Sequence, residues 1–210
     1  GVTELFADLD LVAEQRCIAA GWPWSDAVLA AADVATTPRR HAIEVRLSAE
    51  DPARDFAPSP GRVGAWAMPA GPGVRVDTAI APGERVPPDY DPMIAKIMAV
   101  GPDRESAIAR LRRALDETTI TGIQTTLPFD RHLVRDPAFI AGDELSIDWV
   151  AERWDGPSVR AERFGAAAAA AARADAARQG TTPSLRKDEA GSGSAWRDAG
   201  RLRTIERWRP

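Results

Sequence analysis

From His41 to Ser48 the side chains alternate: His41, Ile43, Val45 and Leu47 fall on one side, and Glu44, Arg46 and Ser48 on the other. A period of two fits a half-buried strand, because successive Cβ atoms of an extended chain point to opposite faces. Further strands are expected over residues 61–66, 74–78 and 93–100, punctuated by Pro69-Ala70-Gly71-Pro72-Gly73 and Ala81-Pro82-Gly83. Connections this short predict antiparallel pairing between sequence neighbours, with Gly71-Pro72-Gly73 as a hairpin turn. Gly101-Pro102 stops the last strand, and Asp103 caps a helix on which Ala107, Ile108, Leu111, Ala114 and Leu115 form an apolar stripe. That stripe is expected to cover one face of the sheet.

A strand over residues 118–120, a short helix over 128–134 and a last helix capped by Ser146 and running to Trp154 complete an α+β domain spanning residues 40–154. Ahead of it, Asp10 caps a helix over 11–20 that Gly21 ends. Pro23, an Ala-rich run and Thr36-Thr37-Pro38 then break regularity, so residues 1–39 read as a lead-in. Residues 155–193 read as a linker, Ala-rich with a helix over 160–178, then flexible up to Gly191-Ser192-Gly193. Residues 194–210 resume a Trp and Arg texture and read as the start of a truncated further domain.

Net charge is −4 with both signs interspersed, so a phosphate backbone finds no positive field and nucleic acid is not an expected partner. Cys17 is the single cysteine, which rules out an intramolecular disulfide and a Cys-based zinc site and fits a reducing compartment, the cytoplasm. No run approaches the roughly 18 apolar residues needed to span a bilayer, so no membrane partner is expected. Apart from Lys96 and Lys187 every basic side chain is Arg.

Four ordered blocks carry a resemblance: His41-Ala42-Ile43-Glu44-Val45-Arg46-Leu47-Ser48-Ala49-Glu50-Asp51-Pro52, then Pro58-Ser59-Pro60-Gly61, then Gly71-Pro72-Gly73-Val74-Arg75-Val76-Asp77, then Val86-Pro87-Pro88-Asp89-Tyr90-Asp91-Pro92-Met93-Ile94-Ala95-Lys96. The chain resembles the C-terminal part of biotin carboxylase, the ATP-dependent ligase component of acyl-CoA carboxylases of fatty acid metabolism. Arg40, in place of the usual Gly before His41, and Ala70, where Gly is typical, depart from the pattern without removing a catalytic group. The resemblance implies an antiparallel, barrel-like sheet packed with helices, with residues 1–39 as a remnant of an ATP-grasp domain whose remainder is expected before residue 1. It also implies ATP, Mg²⁺ and biotin as cofactors of the parent enzyme, the biotin on a separate carrier domain. A biotin carboxyl carrier, a carboxyltransferase subunit and a second copy of the chain are the implied partners. No Ala-Met-Lys-Met biotinylation motif, glycine-rich ATP loop or acidic metal pair is present, so the chain alone is expected to be inactive and to hold no metal.

Carried over residue by residue, the resemblance makes Arg46 the guanidinium that contacts bicarbonate and stabilises the biotin enolate, a task suited to a permanently charged, planar fork of donors. Periodicity alone allows an ordinary strand Arg paired with Glu44. Asp91 matches an Asp beside the biotin pocket that could orient Arg46; its plain role is a turn former before Pro92. Ile147 matches an apolar contact to adenine, against which stands core packing of the last helix. Lys96, inside an apolar strand, is expected in a structural ion pair. Glu4, His41 and His132 are expected to be structural. The rival reading from another class is a non-catalytic dimerisation or carrier-docking module.

Overall fold

Three helices lead the chain in the computed structural model, which describes residues 1–36, 39–143 and 145–180: α1 (Val2–Ala7), α2 (Leu11–Ala19) and α3 (Asp26–Thr36). Asp10 caps α2 as its sequence predicts, accepting from Ala13 N at 2.9 Å. The Ala-rich run expected to be irregular is α3 instead. Alanine is the best helix former, and Ser25 starts the helix by accepting from Val28 N at 3.3 Å.

Strands β1 (His41–Ser48), β2 (Glu50–Asp51), β3 (Ala57–Pro58), β4 (Gly61–Arg62), β5 (Trp66–Ala67), β6 (Val74–Thr78), β7 (Arg85–Val86) and β8 (Met93–Gly101) follow. Helix α4 (Arg104–Glu117) precedes β9 (Thr119–Ile120), and α5 (Leu127–Leu133), α6 (Pro137–Ala141), α7 (Trp149–Arg153) and α8 (Gly156–Gly180) complete the described order. The architecture is α+β, and every ladder is antiparallel and open: the sheet β1-β8-β6 and the pairs β2-β3, β4-β7 and β5-β9.

The pairing corrects the expectation of hairpins. Strands β5 and β6 flank Gly71-Pro72-Gly73 but pair with β9 and β8, so that segment is a crossing between ladders. Gly73 has φ 75°, its carbonyl accepts from Val100 N at 2.9 Å, and a Cβ there would lie 2.7 Å from the Val100 carbonyl oxygen. Only glycine fits both demands.

One face of the central sheet is apolar and carries the core. Val45, Leu47, Ile97 and Ala99 meet the α4 stripe of Ala107, Ile108, Leu111, Ala114 and Leu115, all buried. Asp103 caps α4 by accepting from Ser106 N at 2.7 Å. Arg131 closes the other end of α4, donating from Nη2 to the carbonyls of Leu115 at 2.7 Å and Thr118 at 2.8 Å, acceptors that a helix C-terminus leaves without partners.

The chain divides into two compact units, residues 1–163 and residues from Phe164 onward. Within the first, Trp154 Nε1 donates to Pro52 O at 2.8 Å and Arg160 pairs with Asp51, so the opening turns of α8 are joined to the domain. The second unit is described through Gly180 as continuous Ala-rich helix. The stretch ending Gly191-Ser192-Gly193 and the Trp/Arg tail over 194–210 lie outside the described residues, as do Thr37 and Pro38. Among the described residues no helix is long and apolar enough to cross a membrane.

Candidate functional site

The opposite face of the same sheet is charged, and strand register sorts its side chains into two rows. Glu44, Met98 and Arg75 form the first, because Glu44 and Arg75 each pair with Met98. Helix α1 seals this row: Val2 N donates to Glu44 Oε2 at 3.2 Å, and Arg75 Nη1 donates to Glu4 Oε2 at 2.9 Å. Met98 is fully buried beneath it. The hydrogen bond from Arg75 holds the Glu4 carboxyl below the usual carboxylate range. Glu4 is thus structural, as its sequence context suggested.

Arg46, Lys96 and Asp77 form the second row, in register across β1, β8 and β6. The Arg46 side chain is 73 % exposed, and its Nε lies 4.0 Å from Glu44 Oε1, too long for a hydrogen bond. Directly opposite stands Lys96, half-buried. The ion pair expected for Lys96 is not formed: among the described residues no carboxylate stands within 4.0 Å of its ammonium. Asp77, its neighbour on the other side, is held by Arg75, which donates from Nε to Oδ1 at 2.8 Å and from Nη2 to Oδ2 at 2.9 Å. Arg75 therefore engages both Glu4 and Asp77, and Arg46 and Lys96 face each other without an anion between them.

Asp91 and Ile147 are not brought to this row. Asp91 lies beyond the Ser48–Met93 end of the ladder, where its Oδ1 accepts from Met93 N at 2.8 Å, the geometry of a turn former. It makes no hydrogen bond to Arg46. Ile147 precedes α7 and is 97 % exposed, which sets aside core packing for it. His41 Nε2 lies 3.1 Å from Arg104 Nη1; burial first, and the Arg104 charge second, hold its imidazole below the ordinary range. His132 packs edge-on against Trp154 with ring centroids 5.3 Å apart. Among the described residues no group of three or more His, Cys, Asp or Glu side chains is placed to hold a metal ion.

Two residues that the sequence did not single out support the strand under Arg46. Thr126 Oγ1 accepts from Ser48 N at 3.1 Å, lies 3.3 Å from the Arg46 carbonyl oxygen and donates to Asp130 Oδ2 at 3.1 Å. This contact sits where the β1–β8 register shifts between Leu47 and Ser48, so a buried side chain takes up a bond that the bulge removes from the ladder. Asp130 is buried with that hydroxyl as its polar partner, and burial pushes its carboxyl up to about 7. The legible signal was Thr126, just ahead of a short helix, four residues before an Asp within it.

Comparison with known proteins places these features in one family. The model of the biotin carboxylase C-terminal domain family matches residues 44–152. The biotin carboxylase of Nostoc sp. is 42 % identical over 151 residues, covering 72 % of this chain and 32 % of its own length. A biotin-dependent acyl-coenzyme A carboxylase alpha3 subunit of Mycobacterium leprae is 40 % identical over 158 residues, 73 % of this chain and 25 % of its own. Among solved structures, the biotin carboxylase domain dimer of Hydrogenobacter thermophilus 2-oxoglutarate carboxylase, in complex with MgADP, ADP and bicarbonate, superposes with a TM-score of 0.65 at 33 % identity, over 75 % of this chain and 33 % of that one. The chain thus spans about a third of the length of the curated relatives it matches.

Proposed function

The chain belongs to the biotin carboxylase C-terminal domain family, and we propose that it serves as that domain in the biotin carboxylase component of an acyl-CoA carboxylase. The parent reaction is then the conversion of ATP, bicarbonate and biotin on its carrier into ADP, phosphate and carboxybiotin. The observation that carries this reading is Arg46: a largely exposed guanidinium whose one carboxylate neighbour, Glu44, stands at 4.0 Å, beyond hydrogen-bond reach, on a strand held by a paired neighbour and by Thr126.

Such a group suits two anionic moments. Before transfer, its planar fork holds bicarbonate oxygens; during transfer, the same charge stabilises the oxyanion that develops on the ureido oxygen of biotin as a ring nitrogen becomes nucleophilic. Because β1 is the edge of a rigid sheet, the charge is in place before the reaction begins, and little reorganisation opposes it. ATP with Mg²⁺ supplies the activation of bicarbonate by phosphoryl transfer. That step needs phosphate binders and metal ligands, which in this reading come from the ATP-grasp part of the parent enzyme. Ile147, an exposed apolar side chain, is assigned the adenine contact, and Asp91 the biotin side of the pocket. The partners are a biotin carboxyl carrier, a carboxyltransferase subunit and a second copy of the chain, in the cytoplasm.

A second reading, a dimerisation or docking module without catalysis, is favoured by the exposed Trp22, Trp24 and Leu29 on and beside the lead-in helices. ATP-dependent carboxylation of free biotin separates the two, measured on the whole product of the native coding sequence and on its Arg46→Ala form. Activity that falls about 100-fold on substitution supports the enzyme reading. Full activity of Arg46→Ala removes Arg46 from the mechanism, and an inactive but folded parent product leaves the docking module.

A further inference from the structure

We propose that Lys96 is the second cation of the Arg46 site and binds the same small planar oxyanion, bicarbonate or the carboxylate of carboxybiotin; this rests on the reading of Arg46 given above. The argument begins with register. Arg46 and Lys96 are Cα partners on adjacent antiparallel strands, which puts their Cβ atoms about 5 Å apart on one face. Like charges placed so repel, and a sheet ordinarily answers with a carboxylate at the neighbouring position.

Asp77 occupies that neighbouring position, paired in register with Lys96, yet both of its oxygens accept from Arg75. Glu4 is engaged by Arg75 as well, and Glu44 by Val2 N. Asp77 and Glu4 are thereby directed toward Arg75, and Glu44 gives one oxygen to Val2 N and keeps the other at 4.0 Å from Arg46 Nε, so two cations on this row face a single distant carboxylate oxygen. Helix α1 covers the Glu44–Met98–Arg75 row and stops short of this one, so the pair stays open to solvent at Arg46.

The two cations differ in a useful way. Arg46 offers a planar fork that fits two oxygens of a trigonal carboxyl group, and Lys96 a compact ammonium that can reach the third oxygen or brace one already bound. The half-buried Lys96 stem, flanked by Ile94 and Met98 along its strand face, limits where the ammonium can go. A ligand without oxyanion character finds no complement here, which makes the site selective for the carboxyl unit over the neutral biotin ring.

Lys96 and Lys187 are the only lysines of the chain, so the ammonium can be watched directly. The experiment uses the 210-residue chain labelled with ¹⁵N at lysine and arginine, with Lys187→Arg to assign Lys96, and titrates it with bicarbonate and, in separate samples, with carboxybiotin methyl ester and biotin methyl ester. The two oxyanion arms show which carboxyl source the pair prefers, and the neutral ester is expected to move neither resonance. The Lys96 Nζ and Arg46 Nε signals are expected to shift together along one saturation curve. Lys96→Gln weakens that binding about tenfold and Lys96→Arg restores most of it, with an unchanged backbone amide spectrum as the control for folding. Binding by Lys96→Gln as tight as by the unaltered chain, with Arg46→Ala still abolishing it, overturns the role of Lys96 and leaves Arg46 in place. Binding that survives Arg46→Ala, or no shift at either residue with either oxyanion, overturns both.

Discussion

The two faces of the β1-β8-β6 sheet are built from the same three strands and have opposite chemistry. Toward α4, Leu47, Ile97 and Ala99 are completely buried and packed against a matching helical stripe, so every side chain contributes to stability and none is available to a ligand. Toward α1, the same strands present Glu44, Arg46, Lys96, Arg75 and Asp77: Arg75 binds Asp77 closely, Arg46 has only the loose 4.0 Å approach of Glu44, and Lys96 has no carboxylate within 4.0 Å among the described residues. A half-buried sheet thus lends its rigidity to its polar face: Arg46 is positioned by Val45 and Leu47 beneath the strand, although it makes no core contact of its own.

The largest expected effect separates the faces by stability. Leu111→Ala removes a fully buried side chain from the α4 stripe and is expected to cost about 2–5 kcal/mol in urea unfolding, whereas Arg46→Ala should stay within about 0.5 kcal/mol. Equal costs for the two would break the division of labour between the faces.

Next in size is a pH effect at the support between them. Asp130 is raised from 3.8 to about 7 by burial, so between pH 4 and 7 the folded chain keeps a proton that the unfolded chain releases. Unfolding is therefore favoured as pH rises through that window: the stability associated with the protonated carboxyl is fully present below about pH 4 and is lost by about pH 8. Asp130→Asn keeps an acceptor for Thr126 without the charge. It is expected to stabilise the chain by roughly 3–4 kcal/mol at pH 8 and hardly at pH 3, read from denaturant midpoints across pH. A parallel pH profile for the two forms would show that Asp130 is hydrated rather than buried.

The smallest effect on stability sharpens the comparison most. Arg75→Ala removes exposed ion pairs and should cost no more than about 1 kcal/mol, yet it frees Asp77 beside Lys96. Bicarbonate binding should weaken as Asp77 turns to Lys96, and the Lys96 ammonium resonance should move before any anion is added. An unmoved resonance would mean that Arg75 does not control the charge of this row.

Much of the fold was legible because periodicity is local. The alternation over His41–Ser48, the stripe on α4 and the caps at Asp10 and Asp103 all appear where the residues predict them, since each depends on neighbours within one or two turns. The partners of the strands were not legible. Gly71-Pro72-Gly73 has the composition of a hairpin turn, but β6 gains more by burying Val74 and Val76 on β8 than by folding back on the two-residue β5. The Ala-rich run misled in the other direction, because flanking prolines suggested interruption where alanine propensity made a helix.

For the site, sequence by itself determined which side chains share a face of each strand, and through its ordered motifs the family and the role proposed for Arg46. It could not determine that Lys96 stands opposite Arg46, that Arg75 draws Asp77 away from it, or that Thr126 and Asp130 hold the strand beneath. The Arg46–Lys96 and Thr126 contacts depend on register between segments 50 to 80 residues apart, as in the Ser48 to Thr126 bond at a separation of 78, and placing Asp77 beside Lys96 depends on the β6–β8 register; register is set by the fit of the whole core.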